Sequence, residues 1–464
     1  MSPHWKSVGI WALGGFLGAF LIAWALEVGR GTGSIVRAQQ DNWTTDAARK
    51  VGLRLVESRN ASGPPAYPVE PGDVLFFTNV GTAYGAKNPK NSVVVINAKT
   101  KKPIGISDLE PAWSERWTSH GIGVSPDGKY VYLPGMAPTS AKNPGSLLVL
   151  DGRSLNIHQI ITSPAQRPHH VKTFEDWTGR KRVLVEDFNW LGAGAMAAEN
   201  GTGFYVMDHT DNNKVIAGMT PGDLRGTPYA GFVAPDGRYL YYAMPGPEFR
   251  LAHELKGWIA KIDMQTWKVV QNIPMGAYPI WTVFSRDNKW AWTTQAGDGK
   301  VLKLERAMVA GQVDKVVAEA RTGPGPYGLA ISIDEKELWV ADKGEGTPAA
   351  QRKTTVTVID VETNQVKRTI ETSCVVNDHV LLSPDGTEMW ATCNGSHEVV
   401  VLDAKTYDIK TRIPMPNQGD SHGGTFVSYT RGPAGIVAET VADQNGLHGS
   451  ARDAARQGTP WVGR

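Results

Sequence analysis

The chain has 464 residues, 41% hydrophobic and 20% charged, the proportions of a globular protein with a large core. Forty-eight basic against 46 acidic residues leave a net charge of +2, so there is no electrostatic footprint for a nucleic-acid partner. Two cysteines exclude a disulfide scaffold, and no CxxC motif offers a thiolate zinc site.

After a short flank (1–7), residues 8–26 read VGIWALGGFLGAFLIAWAL, uncharged and mostly apolar. At a rise of about 1.5 Å per residue such a helix reaches across a bilayer core, and it is longer than the apolar region of most cleaved signals. The expectation is a chain held at the periplasmic face of the inner membrane by one transmembrane helix. The alternative is cleavage near Ala38 and release into the periplasm. No twin arginine is present, so the fold would cross unfolded and collect any cofactor afterwards. Residues 27–72, rich in Gly, Ser and Pro, read as a spacer.

From residue 73 one phrase recurs: SHGIGVSPDGKYVYLPG, YAGFVAPDGRYLYYAMPG, IWTVFSRDNKWAWTTQ, YGLAISIDEKELWVADK and HVLLSPDGTEMWATCNG. Each is an apolar strand, a tight turn and a second strand rich in β-branched and aromatic residues. A third strand, an acidic turn and a fourth strand follow, as in TVTVIDVETNQVKRTI. Four strands per unit make a propeller blade. First strands stand at 121–127, 169–175, 229–236, 280–287, 327–334 and 379–385. The N-terminal portion supplies three strands (74–79, 92–98, 103–109), and the missing first strand appears at 423–429. The sequence therefore predicts an all-β fold, a seven-bladed β-propeller over 73–430 in which one C-terminal strand closes on three N-terminal ones and leaves no open edge. Residues 431–464 carry no apolar stripe and read as a mobile tail, draped on the bottom or outer face, with a short helix near 450–456.

These repeats resemble the YVTN (YncE-like) propeller family, whose units run close to PxGIAVSPDGxxxYVxN…TVSVIDxxTxxV. The resemblance implies the fold and says little about activity.

In such a ring each first strand lines the central channel. The long loops at 134–146, 188–203, 244–257 and 342–354 share one face, the top. His120, His169, His170, His379 and His422 precede or open the first strands of four consecutive blades, so they are expected to ring the top mouth. Tyr229, Trp281 and Tyr327 hold the matching positions in the other three. His253 and His397 belong to peripheral top loops. Imidazoles converging on a rigid ring build a metal site; a set without thiolate partners or an acidic cage fits copper first and argues against Ca²⁺. For any one of these histidines the plain alternative is a loop cap.

Glu248, Lys256, Asp342, Lys343 and Asp378 are candidate acid–base or ligand-orienting groups on the same face, with ordinary solvated loop charge as the alternative. Trp113 and Trp117 either wall the site or pack between blades. Cys374 and Cys393 sit at the top rim of one blade, where an oxidising compartment favours a disulfide; a soft metal-ligand pair and two free thiols are the alternatives.

The histidine-lined mouth with adjacent His169 and His170 looks like the propeller of nitrous oxide reductase and of thiocyanate dehydrogenase. That resemblance implies a multicopper centre with His120, His169, His170, His379 and His422 as ligands. Tyr229, Trp281 and Tyr327 depart from it, and the electron-entry copper domain of nitrous oxide reductase is absent. RPHHVKT is similar to the d1-haem propeller of cytochrome cd1 nitrite reductase, which implies haem d1 as an alternative cofactor. There is no CxxCH for a covalent haem c, so electrons would need an external partner such as a cytochrome c. Three readings stay open: a copper-dependent oxidoreductase acting on a small molecule, a d1-haem-binding propeller, and a cofactor-free scaffold for a partner protein or polymer.

Overall fold

The third strand of each unit is a short run of branched apolar residues, SVVVIN, SLLVLD, TVTVID, EVVVLD, because both faces of a blade are covered by its neighbours. The computed structural model describes residues 43–81, 90–115, 118–136, 145–162, 168–187, 201–246, 256–309, 311–347 and 352–463. Chain contacts divide the protein into residues 1–43, of which only Trp43 is described, and residues 44–464. The expected membrane segment, 8–26, lies outside the described residues. Among those described, no helix is long and apolar enough to cross a membrane.

Residues 44–464 contain seven antiparallel sheets among the described residues, the blades of a propeller. Blade 1 closes the ring as expected: the C-terminal strand Thr425–Gly432 pairs with Val74–Val80, setting Phe77 opposite Thr425 and Val74 opposite Ser428. Blades 2 to 7 follow in chain order, with inner strands Thr118–Ser119 plus Gly123–Val124, Pro168–Glu175, Ala230–Val233, Pro279–Phe284, Leu329–Ile331 and Asn377–Leu382. At the seam, Phe76 of blade 1 packs against Trp390 of blade 7, ring centroids 4.8 Å apart, and Trp390 meets Phe426 at 5.2 Å. Buried aromatic pairs of this kind add about 1 kcal/mol beyond their area. The one join without covalent continuity lies inside blade 1, between Val74–Val80 and Thr425–Gly432, where Phe76 also packs on Phe426 at 4.8 Å.

Two terminal segments differ from expectation. Part of the spacer is folded onto blades 2 and 3. Arg54–Ser58 pairs with Ile157–Thr162 as an outer fifth strand of blade 2, and Thr45 caps the helix Asp46–Lys50 while donating to the Val215 carbonyl at 2.6 Å. Leu53, Leu55, Tyr67 and Val69 are buried there, so apolar residues scattered among the glycines and prolines do the docking.

The segment read as a mobile tail is also folded. Gly435–Asp443 turns back on Thr425–Gly432 and extends blade 1 inward, across the bottom of the channel. The helix Gly449–Gln457 follows, where a short helix was expected. Val441, Ala442 and Ala451 are buried in the core beside blades 1 and 7, and polar contacts add to them. The Thr173 N–H donates to Asp443 at 2.7 Å, the Val233 N–H to Asn445 at 3.0 Å, and the Thr440 hydroxyl to the Ser125 carbonyl at 2.8 Å. Inner strands of blades 2, 3 and 4 thus all bond to it. It is a plug.

Candidate metal centre

Adjacent residues of a regular strand face opposite sides, yet both His169 and His170 reach the channel mouth. The reason is a break in register between Pro168 and Val171 where this strand pairs with its neighbour. A second break, between Asn377 and His379, does the same for Asp378 and His379. Bulges of this kind re-aim side chains at the end of a strand. In blade 2 the inner strand is interrupted at Gly121, whose φ is +94°; a Cβ there would lie 2.2 Å from the His169 carbonyl oxygen. Only glycine permits that approach, and it brings His120 onto His169.

The five mouth histidines converge. Ring centroids are 3.7 Å apart for His120 and His422, 3.6 Å for His169 and His170, 4.6 Å for His120 and His169, and 4.7 Å for His379 and His422. His170 Nε2 stands 3.1 Å from His422 Nε2. Three groups each bring one ligand atom per residue within 4.8 Å of one another: His120, His169, His422; His170, His379, His422; and His169, His170, Glu186. All five are buried, His120 least so at 7% exposure.

Carboxylates orient these rings. Glu186 meets His170 Nδ1 at 2.9 Å and also pairs with Lys172, while the Gly231 N–H donates to it at 2.7 Å. Asp378 approaches His379 Nδ1 at 2.8 Å and contacts His422 Nδ1, and Lys343 reaches its other oxygen at 2.6 Å. The contacts of Asp378 with the two imidazoles are close approaches rather than well-aligned hydrogen bonds. Burial holds His120, His169 and His170 far below the ordinary imidazole range, with neighbouring cations and imidazoles adding to it. Burial lowers His379 too and brings His422 to about 4, against the pull of Asp378. Burial works to raise Asp378, but His422, Lys343 and His379 outweigh it and keep the carboxylate ionised. The set is therefore neutral imidazole beside fixed negative charge, which is what a cation needs.

The other half of the mouth is aromatic. Trp281 lies 4.7 Å from His379 and 5.4 Å from His170, and Tyr229 lies 5.2 Å from His169. The Tyr229 and Tyr327 hydroxyls share a hydrogen bond of 2.6 Å. Lys343 Nζ sits 3.7 Å over the Tyr327 ring.

Cys374 and Cys393 form a disulfide, Cα atoms 5.1 Å apart. It closes the corner that carries Asn377, Asp378 and His379 on one side and Asn394 on the other. Asn394 reaches His422 Nδ1 at 3.0 Å, and the Thr392 hydroxyl accepts from the His379 N–H at 3.3 Å.

The remaining expected positions fare differently. Glu248, His253 and Trp117 lie outside the described residues. Lys256 opens the strand Lys256–Asp263 and is exposed, away from the imidazoles. Asp342 is buried, its Oδ2 accepting from the Thr355 and Thr357 hydroxyls at 2.7 Å each, and burial raises it to about 7 in spite of those bonds. It is internal to blade 6 rather than a neighbour of the imidazoles. His397 belongs to none of the three groups, and Trp113 packs against the core beside blades 1 and 2. Sequence reasoning missed Glu186, Lys172 and Asn394. Two of them carried a signal: a charged residue inside a strand otherwise written in apolar residues, as in RVLVED and HHVKTF.

Among known families, the Cytochrome D1 heme domain matches residues 116–430, two thirds of the chain. The chain belongs to that family. Among solved structures, the periplasmic gluconolactonase PpgL of Pseudomonas aeruginosa is similar at 16% identity and a TM-score of 0.55, covering 76% of this chain and 99% of that one. The hydrazine synthase of Kuenenia stuttgartiensis is similar at 19% identity and 0.51, covering 68% and 90%. Identities this low show the shared propeller alone. The tRNA-specific 2-thiouridylase MnmA of Agrobacterium fabrum is 30% identical over 168 residues, covering 29% of this chain; the chain spans 40% of the length of that curated relative.

The family name implies haem d1, and the described mouth tests it. A tetrapyrrole needs a flat slot several times wider than an imidazole. Here the imidazoles contact one another, and Trp281, Tyr229 and Tyr327 fill the rest of the mouth. Between these donors a macrocycle does not fit; a bare ion does.

Proposed function

We propose that this member of the family is an exported copper protein, its metal held by His120, His169, His170, His379 and His422, acting as an oxidoreductase on a small molecule in the channel mouth. One observation carries the reading. His170 turns Nδ1 to Glu186 at 2.9 Å and aims Nε2 into the mouth, 3.1 Å from His422 Nε2. A carboxylate neighbour keeps the proton on Nδ1, so the His170 Nε2 presents a lone pair among four further neutral imidazoles. Neutral imidazoles in this number suit copper.

When bound, copper supplies one-electron chemistry. The chain's own groups do the rest. Glu186 and Asp378 orient the ligand rings, Trp281, Tyr229 and Tyr327 exclude water from one side of the mouth, and Lys343 offers a positive charge to an anionic or polarised substrate. The disulfide supports an oxidising compartment, and residues 8–26 support a membrane tether. Electrons would pass to or from an external protein such as a cytochrome c.

The test is metal analysis and electron paramagnetic resonance on protein loaded with Cu²⁺ under oxidising conditions. Stoichiometric copper with nitrogen hyperfine structure, lost in a His169→Ala, His379→Ala double variant, supports the reading. No bound copper would leave the scaffold reading. Family membership favours one further reading, haem d1 held elsewhere on the top face; a Soret band after reconstitution supports it.

A further inference from the structure

In six of the blades the hairpin from third to fourth strand is a short turn, with four or five residues between the strands: 98–101, 152–156, 209–213, 264–267, 361–365 and 404–408. Blade 5 departs from this. Nine residues, 306–314, separate Lys300–Glu305 from Lys315–Arg321, and they read RAMVAGQVD. Among the described residues of this tip, Met308 is 55%, Val309 61% and Val313 53% exposed, and Val316 and Val317 of the outgoing strand are exposed too. Single apolar residues at a surface are ordinary, but five in one hairpin form a patch that calls for a reason.

The tip is not loose at its base. Arg306 and Asp314, which bracket it, are both buried. Tyr241 of blade 4 joins them: its hydroxyl accepts from Arg306 Nε at 2.9 Å and donates to Asp314. Arg306 also donates to the Asn288 carbonyl at 2.7 Å and reaches Asp236 at 3.2 Å. Asp314 accepts from Lys261 Nζ at 2.7 Å and from the Ala307 N–H at 2.9 Å, and its main chain exchanges two bonds of 3.0 Å with the Gln271 carboxamide. Buried ion pairs add little stability over apolar packing. What this network does is hold both ends of the hairpin against blade 4 while its apolar tip stays in solvent.

We infer that this hairpin is a membrane-contact site, with Met308, Val309 and Val313 entering the headgroup layer of a bilayer. Size argues against a protein partner or a second copy, since one turn offers far less than the about 800 Å² that each side of a stable interface buries. A lipid surface asks only for apolar side chains that reach the acyl boundary. Asn288 Nδ2 lies 3.7 Å from Met308 Sδ, which puts the neighbouring Lys289 at the foot of the tip. Charges there cancel, Lys289 pairing with Asp287 at 3.5 Å and Lys315 standing opposite Glu305, so the contact needs no anionic lipid. Three side chains alone hold a bilayer weakly. The inference therefore rests on the reading of residues 8–26 as a tether, which makes this second contact intramolecular and raises its effective concentration. The hairpin belongs to the end of the blade away from the imidazoles, so a chain seated on it keeps its channel mouth clear of lipid.

The test places a nitroxide on Val309→Cys in the full chain, with phosphatidylcholine vesicles. The native cysteines are buried in their disulfide, so the label goes to the introduced thiol alone. Collisions of the nitroxide with a water-soluble nickel chelate, read by electron paramagnetic resonance, are expected to fall about tenfold when vesicles are present. The same label on Glu362→Cys, in the hairpin of blade 6, should show no change. Adding Met308→Ser and Val313→Ser to the labelled chain should restore the collisions; if it does not, the label itself makes the contact and the inference fails. Co-sedimentation with vesicles reports the tether separately. A chain that sediments with its Val309→Cys label still in water overturns the inference and leaves the tether standing, whereas a shielded label on a chain that does not sediment overturns the tether alone. Spin–spin broadening without vesicles would mean a second copy covers the tip, and would overturn the inference as well.

Discussion

Nε2 of His170 faces Nε2 of His422 across 3.1 Å, although 252 residues of chain lie between them. One ring belongs to blade 3, the other leads into the strand that closes the circle, and neither can turn away without losing its carboxylate. Closure of the propeller and assembly of the candidate metal centre are therefore one event.

Two of the three candidate ligand groups, the all-imidazole ones, share His422. Copper content measured by mass spectrometry is expected to fall most in His422→Ala, which breaks both of these, and less in His120→Ala, which breaks one. Equal losses would mean a single ion bound by all five rings.

Asp378 touches both His379 and His422. Asp378→Asn keeps the shape and removes the charge, so copper affinity should fall by about 10- to 100-fold in chelator competition. Glu186→Gln should have an effect of similar size through His170. Affinity unchanged in both variants would show that packing alone aims the rings.

Burial holds His422 near 4, whereas an unfolded imidazole protonates near 6.5. Between those values the unfolded chain binds the proton and the folded chain does not. Stability of the metal-free protein is therefore complete above about 6.5 and falls as pH drops towards 4, by about 1.4 kcal/mol per pH unit for this residue alone. Denaturant titrations between pH 7 and 4 should show the decline, and His422→Gln should reduce its slope. Copper retention should follow the same limb, because protons and the ion compete for the same nitrogens.

Asp342 acts in the opposite direction. Burial raises it to about 7 in the folded chain, so between the ordinary carboxylate value and 7 the folded state binds the extra proton. Its contribution is present at acid pH and lost as pH rises through 7. Asp342→Asn, which keeps the contacts to Thr355 and Thr357 without a charge, should be more stable than the wild type at pH 8 and should flatten that part of the profile. A variant less stable than wild type at pH 8 would refute this.

The Cys374–Cys393 bond closes a 19-residue separation around the strand that carries Asp378 and His379. Loop-closure entropy for a ring of this size is worth about 3 kcal/mol. A Cys374→Ser, Cys393→Ser variant should lose stability of that order and, in addition, copper affinity, since the corner holding Asn394 and Thr392 loosens. Loss of stability with full copper affinity would limit the bond to a structural role.

Much of this was legible in the residues. Strand alternation and Pro-Asp-Gly turns are local in cause, so the blades, their number and the closure of Thr425–Gly432 on Val74–Val80 could be read along the chain. So could the five histidines, because each occupies the same place in its repeat. Lys343 and Asp378 could be read only as top-face positions, Lys343 just after the second strand of blade 6 and Asp378 at the start of the first strand of blade 7. Asp342, one residue away from Lys343, faces its own blade and serves Thr355 and Thr357; a strand's alternation separates the two, and the motif alone does not say which side is inward.

By itself, then, the sequence determined the propeller, its seam and the ring of donors, since periodicity and turn chemistry act over a few residues. Tertiary structure alone decided which neighbours share a face and what lies across the axis. Register breaks at 168–171 and 377–379 bring His169 with His170, and Asp378 with His379, to one side. Glu186 and Lys172 pair because opposite strands bury them together, and residues 435–447 enter the channel because an inner strand offers an unpaired edge there. Each of these depends on backbone register between segments distant in sequence, which no local pattern encodes.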